Sequence, residues 1–282
     1  MKAAILMLAV ILTATCNKTP AEELPPPSPS HDDNSIPAPE KTALRVTTYN
    51  VGVFGKSGSN TTDMVASMMK ELGTKVISMN ELDSCTTRNP SFQIKLFAEA
   101  MDSWNYTFAP ALNYQGGRYG IGIASAPDLQ ILKRYRLKLE KAGGSEVRAL
   151  AVCEFADFVF CSTHLDHKSL DAQMVQARQI TDWVASNYGT SGKPVILCGD
   201  FNALPDSGTI TYMKENWTII SPSGFTYPAS APTKCIDYIM VYNNAAGAAV
   251  KVLDSQIPVD FKSGNVRVAS DHLPVYADIV LP

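Results

Sequence analysis

The stretch 195–202, Val-Ile-Leu-Cys-Gly-Asp-Phe-Asn, restricts the choice of fold more than any other part of this 282-residue sequence. A short apolar run that ends in glycine and polar residues is typical of a buried β-strand. Residues two apart in a strand lie on one face, so Asp200 and Asn202 are predicted to point together into a cleft. Such a pair suits a hard cation and a water molecule. The alternative is an ordinary Asp/Asn turn after the strand.

Two earlier stretches also combine a strand pattern with polar residues at its carboxyl end. Residues 44–51 alternate in polarity and reach Asn50, and residues 75–79 lead into Asn80 and Glu81. Both strands are therefore predicted to deliver polar side chains at the same kind of position as the strand at 195–200.

Helical periodicity occurs at 63–72 and 170–188, and a short helix is predicted from Asp206 or Ser207 to about residue 216. Asn89 and Pro90 predict another helix that begins there and continues to residue 101, because Asn caps helices and Pro suits their first position. Many strands with about four helices fit a layered α/β body, with strands packed on strands and helices outside.

The histidines of the body stand in two groups, each beside a carboxylate at a strand edge. His164 and His167 occur in Ser-Thr-His-Leu-Asp-His, and His272 occurs in Ser-Asp-His. A lone histidine is more often a core or surface residue than a catalyst. Because these histidines stand beside carboxylates at strand ends, a catalytic role for them is about as well supported as a structural one.

Asp237 is different, because it lies inside the apolar strand pattern at 235–240. A carboxylate there is partly buried and needs a partner. A buried Asp held against a histidine fixes the tautomer of the imidazole. The alternative is a salt bridge to Lys234 or to an arginine.

Composition indicates a globular protein: 45% of the residues are hydrophobic and 18% are charged. The length suffices for one large domain or two small ones. A formal net charge of −3 gives no reason to expect a polyanionic partner, so a small anionic substrate would need a local cationic site. Arg134, Arg136 and Lys138 form one basic stripe on a strand pattern, and a solvated strand face explains it better than a contact with a phosphate backbone.

The amino-terminal region has the composition of a targeting segment followed by a linker. Lys2 precedes an apolar run of ten residues, too short to cross a bilayer, so residues 1–16 are predicted to be a signal peptide. Thr-Ala-Thr-Cys at 13–16 resembles a bacterial lipoprotein cleavage box, which predicts lipid attachment at Cys16. Residues 17–43 are rich in proline and are predicted to be a disordered tether. We expect a location in the cell envelope or outside the cell.

Among the remaining cysteines, Cys153, Cys161 and Cys198 lie in apolar strand patterns, where buried free thiols are expected. Cys85 and Cys235 lie in loop-like sequence. In an oxidising cell envelope Cys85 and Cys235 could form a disulfide, but their spacing in the sequence does not determine whether they do.

Seven short motifs between residues 44 and 282 occur in the order seen in the endonuclease/exonuclease/phosphatase superfamily, the DNase I-like fold, which this chain resembles. Each motif is weak alone, and the ordered set is specific. The motifs are Thr-Tyr-Asn-Val at 48–51, Asn-Glu-Leu-Asp at 80–83, Tyr-Gly-Ile-Gly-Ile-Ala-Ser at 119–125, Ser-Thr-His-Leu at 162–165, Gly-Asp-Phe-Asn at 199–202, Ile-Asp-Tyr-Ile at 236–239 and Ser-Asp-His-Leu-Pro-Val at 270–275.

The resemblance implies a four-layer α/β sandwich, in which two mainly antiparallel β-sheets are flanked by helices, and Mg²⁺-dependent cleavage of phosphate esters, with Mn²⁺ as a substitute. It also implies a role for each matching residue. Glu81 is the main metal ligand, adjoined by Asn50 and Asp271. Asp200 and Asn202 position or deprotonate the attacking water, with the choice of Asp or His as the base left open. His164 and His272 donate to phosphoryl oxygens, and Asp237 orients a histidine.

For the substrate phosphate, the resemblance implies Arg148, in Val-Arg-Ala-Leu, with Arg88 and Arg118 as weaker candidates. Asn80 departs from the glutamine that usually precedes the glutamate. The metal prediction does not depend on this position, but its hydrogen bonds are expected to differ from those of a glutamine.

The expected function is therefore that of an extracytoplasmic Mg²⁺-dependent phosphoesterase, which hydrolyses a phosphodiester or phosphomonoester by metal-assisted attack of water. One alternative is a secreted nuclease acting on DNA or RNA, which the acidic balance disfavours. Another is a catalytically silent surface binding module of the same fold. The protein is expected to be a monomer.

Overall fold

The computed structural model describes residues 36–37, 43–56 and 58–282. The predicted signal peptide at 1–16 and most of the tether predicted at 17–43 lie outside the described residues. None of the helices in the described stretches combines the length and the apolar character that crossing a membrane demands.

The described residues form twelve strands and five α-helices. The strands are β1 (Leu44–Asn50), β2 (Val76–Ser84), β3 (Asn105–Tyr114), β4 (Gly117–Ser125), β5 (Lys133–Leu139), β6 (Arg148–Glu154), β7 (Val159–His164), β8 (Val195–Asp200), β9 (Trp217–Ile219), β10 (Asp237–Tyr242), β11 (Lys251–Gln256) and β12 (Val275–Val280). The helices are α1 (Thr62–Leu72), α2 (Gln93–Ala100), α3 (Leu170–Tyr188), α4 (Gly208–Asn216) and α5 (Val266–Ala269).

The strands make two six-stranded sheets, in the orders β11-β12-β1-β2-β4-β3 and β5-β6-β7-β8-β10-β9. The pairs β1–β2 and β7–β8 are parallel, and the other neighbours are antiparallel. One apolar cluster lies between the sheets, a second lies under α1 and α2, and a third lies under α3 and α4. The four-layer sandwich predicted from the sequence is confirmed.

Strand β8 shows why its sequence is apolar almost throughout. Ile196 and Cys198 pack between the two sheets, whereas Val195 and Leu197 pack under α3. A strand buried on both faces has no solvent side, so its sequence does not alternate in polarity. Gly199 is required by close packing, since a Cβ atom there would lie 1.9 Å from the carbonyl oxygen of Thr163.

The strand predicted at 75–79 does not end at Asn80 but continues to Ser84 through a β-bulge. Met79 pairs with Gly122 and Leu82 pairs with Gly120, so two residues of β2 oppose one residue of β4. Glu81, inside the bulge, has a positive φ of 58°. A bulge re-aims side chains, and here it turns Glu81 toward the open edge of the sandwich.

The helix predicted from Asn89 begins at Gln93 instead, with Phe92 as its N-cap. Ser84 and Phe92 form an isolated antiparallel bridge, and the N–H of Cys85 donates to the carbonyl of Ser91 at 3.0 Å. The chain after Pro90 therefore remains extended because it pairs with the end of β2, and this tertiary contact outweighs the local helix signal.

The basic stripe on β5 is a solvated strand face, as predicted. Arg134, Arg136 and Lys138 are exposed, while Tyr135 and Leu137 pack on the cluster under α3.

All five cysteines in the described part of the chain are free thiols. Cys85 is exposed and Cys235 is buried, so the structure contains no disulfide between them.

A polar seam joins the two sheets at the end where the parallel strands finish. Asn80 of β2 donates its amide to the carbonyl of Thr163 at 2.8 Å and accepts the N–H of Asp200 at 2.9 Å. The hydroxyls of Ser78 and Ser162 lie 2.7 Å apart across the same gap. These buried bonds hold β2 of one sheet in a defined position against β7 and β8 of the other.

We expect Asn80→Ala to lower the free energy of unfolding by about 1–3 kcal/mol, because the buried N–H of Asp200 loses its acceptor. Urea unfolding measures the change. Asn187→Ala is the control, since the Asn187 amide donates to a carbonyl of its own helix at an exposed site; it should change the value by less than about 0.5 kcal/mol. Equal effects of the two substitutions would show that the seam does not stabilise the sandwich.

Candidate active site

A cavity of about 690 Å³ opens at this end of the sandwich. Most residues that the sequence predicted for the site line it. They are Glu81, Arg148, His164, Asp200, Asn202, Asp271 and His272. Asn50 and Asp237 are buried directly behind this lining and form hydrogen bonds to it.

Strand register explains how distant residues meet here. In the second sheet, Asp200 pairs with His164 on the parallel strand β7 and with Asp237 on the antiparallel strand β10. In the first sheet, Asn50 pairs with Asn80 on the neighbouring strand. Directly paired residues share a face of a sheet, so each sheet brings a row of polar groups together at the end of the sandwich where the cavity opens.

Asp200 is the centre of this arrangement. Its carboxylate accepts the backbone N–H of Asn202 at 2.8 Å and the amide of Asn50 at 3.0 Å. Its Oδ2 also lies 3.5 Å from Nε2 of His164 and 3.6 Å from Nε2 of His272. The residue is 1% exposed. Burial raises the pKa of Asp200 to about 7, although the His272 charge opposes that rise.

His272 lies between two carboxylates. Its Nδ1 is 2.9 Å from Oδ2 of Asp237, which also accepts the hydroxyl of Thr226. Asp237 therefore pairs with His272 rather than with Lys234, the alternative considered from the sequence. Burial lowers the pKa of His272, but Asp237 and Asp200 more than offset burial and raise it to about 10. The imidazole is accordingly protonated near neutral pH.

His164 has the opposite charge preference. Its Nδ1 lies 3.3 Å from a guanidinium nitrogen of Arg148. Because a guanidinium only donates, Nδ1 is the acceptor, and the proton sits on Nε2, facing Asp200. Burial and the Arg148 charge hold the pKa of His164 well below its usual value. One imidazole of the site is neutral, and the other is a cation.

Glu81, on β2, and Asp271, in the connection between α5 and β12, form a separate acidic pair. Their carboxylates converge, since Nζ of Lys56 lies 3.4 Å from Glu81 and 3.2 Å from Asp271. Mg²⁺ takes oxygen ligands and one or two carboxylates. Two converging carboxylates that already face a positive charge fit such an ion, so the donor set agrees with the predicted metal ligands.

Asn50, which the sequence predicts to adjoin the metal beside Glu81, directs its side-chain nitrogen rather than its oxygen toward that carboxylate. Its side-chain oxygen accepts the N–H of Gly52 at 3.1 Å, and its amide nitrogen donates to Glu81 at 3.2 Å and to Asp200 at 3.0 Å. In this orientation Asn50 bridges the carboxylates of Glu81 and Asp200.

Asp200, Asp237 and His272 also bring ligand atoms within 4.8 Å of one another. The two ring nitrogens of His272 face different carboxylates, however, so one ion cannot use both of those contacts. This cluster is better suited to orienting and charging the imidazole than to enclosing a cation.

Asn202 lines the cavity, but it does not lie on the strand β8, which ends at Asp200. Its φ of 48° is in the left-handed region, and its side-chain amide donates to the carbonyl of Leu165 at 3.1 Å. The strand alternation that predicted Asp200 and Asn202 side by side therefore ends at residue 200. The turn places Asn202 at the wall of the cavity.

Arg148 is the one arginine of the three predicted candidates that lines the main cavity. Arg88 is bound instead to the buried carboxylate of Asp83, with N–O distances of 2.6 and 2.9 Å. Arg118 lines a different surface depression, beside Cys85 and Asn113. The positions of Arg88 and Arg118 relative to the cavity could not be predicted from the sequence, because they depend on the bulge in β2 and on the loop that follows it.

Several lining residues received no assigned role in the site from the sequence: Lys56, Tyr119, Glu146, His167, Tyr227 and Lys234. His167 had a usable signal, because it shares the Ser-Thr-His-Leu-Asp-His motif with His164. Its Nδ1 lies 3.1 Å from the Arg148 guanidinium. Tyr119 lies on β4, in the motif at 119–125. The others lie outside the named strands and helices, in stretches whose sequences carry no local sign of a site.

The two-sheet sandwich with this polar edge belongs to the DNase I-like class of folds. The sequence model of the endonuclease/exonuclease/phosphatase family matches residues 47–272, so the chain belongs to that family of hydrolytic phosphoesterases, phosphatases and nucleases. No curated protein matches the sequence.

Similar solved structures share the fold at low sequence identity. An endonuclease/exonuclease/phosphatase from Bacteroides vulgatus has 19% identity and a TM-score of 0.71, over 86% of this chain and 100% of the other. A mannosyl-6-phosphatase from Bacteroides thetaiotaomicron has 18% identity and a TM-score of 0.70, over 84% and 100%. The catalytic domain of human nocturnin, with a bound sulfate anion, has 16% identity and a TM-score of 0.65, over 86% and 94%.

We expect Asp237→Asn to lower the pKa of His272 from about 10, because a carboxylate that favours the imidazolium becomes a neutral amide. Histidine-selective NMR across a pH titration measures this pKa. Asp182→Asn, an exposed change on α3, is the control and should leave the titration of His272 unmoved. The same His272 titration in both variants would contradict the assigned role of Asp237.

Proposed function

We propose that this protein is a Mg²⁺-dependent phosphoesterase that hydrolyses a phosphodiester or phosphomonoester by attack of water. One observation carries the proposal: an acidic pair, a central buried carboxylate, two imidazoles of opposite charge preference and a buried arginine line a single cavity. Each of these groups has a distinct task in cleaving a phosphate ester.

Glu81 and Asp271 are the residues that would hold Mg²⁺. When bound there, the ion would offset negative charge on the phosphoryl oxygens. Asn50 would keep Glu81 in place through its 3.2 Å hydrogen bond.

Asp200 is the candidate general base. A group that takes a proton from water works best with a pKa near the working pH, and burial raises the pKa of Asp200 to about 7. His272 is already protonated at that pH, and Nδ1 of His164 is occupied by Arg148. The environment of these three groups therefore favours Asp200 over either histidine as the base.

His272 and Arg148 are the candidate groups for binding the phosphoryl oxygens. The imidazolium of His272 and the guanidinium of Arg148 both donate hydrogen bonds from a positive charge, which stabilises the charge that develops in the transition state. Arg148 is 3% exposed, and its buried Nε has no partner among the described residues. Asp237 acts through His272, by holding and charging its ring.

The charges around the cavity favour a small ester over a nucleic acid. Carboxylates (Glu81, Glu146, Asp200, Asp206 and Asp271) outnumber the lysine and arginine side chains (Lys56, Arg148 and Lys234) in its lining, and the net charge of the chain is −3. A long polyanion gains affinity from many cationic contacts, and such a surface would repel part of its backbone.

We expect Glu81→Gln to weaken Mg²⁺ binding at least about tenfold and to lower kcat/KM at least about 100-fold, because the charged oxygen that would bind the metal is lost. Calorimetry with Mg²⁺ and hydrolysis of bis-p-nitrophenyl phosphate measure the two effects. Glu99→Gln, an exposed change on α2 paired with Lys95, is the control.

Three outcomes would overturn parts of this proposal. Unchanged metal dependence in the Glu81 variant would remove its assigned role. Absence of both Mg²⁺ binding and hydrolysis in the unaltered protein would favour a silent binding module. Plasmid nicking as the dominant activity would favour the nuclease alternative.

We also propose that the protein acts at the cell envelope, anchored by a lipid on Cys16 with the proline-rich segment 17–43 as a spacer. The composition of these segments supports the proposal. Cys16→Ser should move the protein from the membrane fraction to the soluble fraction, as measured by immunoblotting of fractionated cells. Ser30→Ala is the control in the spacer. A membrane-bound Cys16 variant would contradict lipid anchoring.

A further inference from the structure

A second, smaller cavity adjoins the candidate active site. It has a volume of about 150 Å³ and shares Lys56, Glu81, Tyr119 and Glu146 with the main cavity. Its remaining walls are Val53, Arg88, Leu112 and Tyr114. We call it the side cavity. Because Glu81 belongs to both cavities, a group in the side cavity lies directly beside the position assigned to the phosphate.

The side cavity has an aromatic and cationic wall held in place by a buried carboxylate. Asp83 is fully buried and binds the Arg88 guanidinium through two oxygens, at 2.6 and 2.9 Å. The guanidinium carbon lies 4.5 Å from the ring centre of Tyr114 and 5.6 Å from that of Tyr119. The Nη1 nitrogen of Arg88 makes no hydrogen bond to the described residues, so it remains free to donate.

Hydrogen bonds and close packing also hold the backbone behind this wall. The N–H groups of Thr87 and Arg88 donate to the main-chain and side-chain oxygens of Gln115, both at 2.9 Å. At the turn of the β3–β4 hairpin, a Cβ atom on Gly117 would lie 2.3 Å from the carbonyl oxygen of Ser84. Only glycine permits this close approach, so the loop after β2 and the hairpin form one preorganised wall.

The chemistry of the side cavity selects a ring that carries hydroxyl groups. Tyrosine rings pack against the faces of flat or puckered rings. Arg88 offers a donor and Glu146 an acceptor, so hydroxyl groups on such a ring would find both kinds of partner. A closed cavity of about 150 Å³ holds bare benzene, and the side cavity, which shares four residues with the main cavity, leaves the substituents of a larger ring to extend toward that cavity.

We propose that the side cavity binds a hydroxylated six-membered ring, a sugar or a cyclitol, which is the alcohol part of the phosphate ester. This inference rests on the proposed function, because it assigns the phosphate to the neighbouring cavity. Phosphate esters of such rings form the expected substrate class, and Tyr114 is the residue that determines the preference for them.

Binding measured without Mg²⁺ tests the side cavity independently of turnover. Calorimetry with glucose 6-phosphate and with myo-inositol 1-phosphate should show binding to the unaltered protein, and the tighter of the two identifies sugar or cyclitol. Glycerol 1-phosphate, which has hydroxyls but no ring, and phenyl phosphate, which has a ring but no hydroxyls, should bind at least fivefold more weakly.

Tyr114→Ala should weaken binding of the preferred ring ester at least fivefold relative to glycerol 1-phosphate. Leu112→Trp should have the same effect by filling the cavity, and it keeps Tyr114 in case the alanine variant does not fold. Tyr212→Ala is the control, since Tyr212 also lies against an arginine, Arg178, at 5.3 Å on another part of the surface. It should leave the ratio within twofold, and thermal unfolding checks that all variants are folded.

The inference is overturned if the unaltered protein binds the ring esters no better than glycerol 1-phosphate, if phenyl phosphate binds best, or if folded Tyr114 and Leu112 variants keep the original ratio. Binding that follows the prediction without hydrolysis of any ester after Mg²⁺ is added would instead overturn the proposed function while leaving the side cavity as a ring-binding site. The two failures are thus distinguishable.

Discussion

The position of the Asp200 carboxylate depends on the polar seam between the two sheets. Asn80 uses its side-chain oxygen and nitrogen to bind the second sheet, and this fixes β8 against β2 at the edge where the strands end. Asp200, on β8, and Glu81, on β2, then share one hydrogen-bonding partner in Asn50. Without a defined offset between the sheets, residues far apart in sequence would not face one cavity.

The residues of the polar seam are buried, and burial also shifts the pKa values of the ionisable groups beside it. Burial disfavours charge on each group, and the outcome depends on the neighbours. His272 has carboxylates on both sides and is a cation with a proton on each ring nitrogen, whereas His164, buried beside Arg148, is neutral with one ring proton. Asp200 lies between the two rings with a raised pKa. Two copies of one residue type thus acquire different chemical roles from position alone.

The sequence predicted the sandwich and most of the residues that line the cavity, because both leave local patterns. An apolar strand that ends in polar residues is visible at β8 and at β1, and the His-rich motifs lie beside such strands. The predictions failed where a long-range contact outweighs a local preference. Residues 89–92 carry a helix-start pattern, yet they remain extended to pair with the end of β2. The direction of the Arg88 side chain could not be predicted from the sequence, because its partner Asp83 is turned inward by the bulge in β2.

By itself, the sequence determined which strands are buried, which residue types stand at their ends, and the order of motifs that identifies the family. These properties depend on backbone periodicity and composition, which act over a few residues. The tertiary structure alone decided which atom of each side chain meets which partner: the bulge that turns Glu81 outward, the ring of His272 between two carboxylates, and the wall built on Arg88. Such contacts depend on the register between strands and on the offset between sheets, and no short segment of the chain encodes either one.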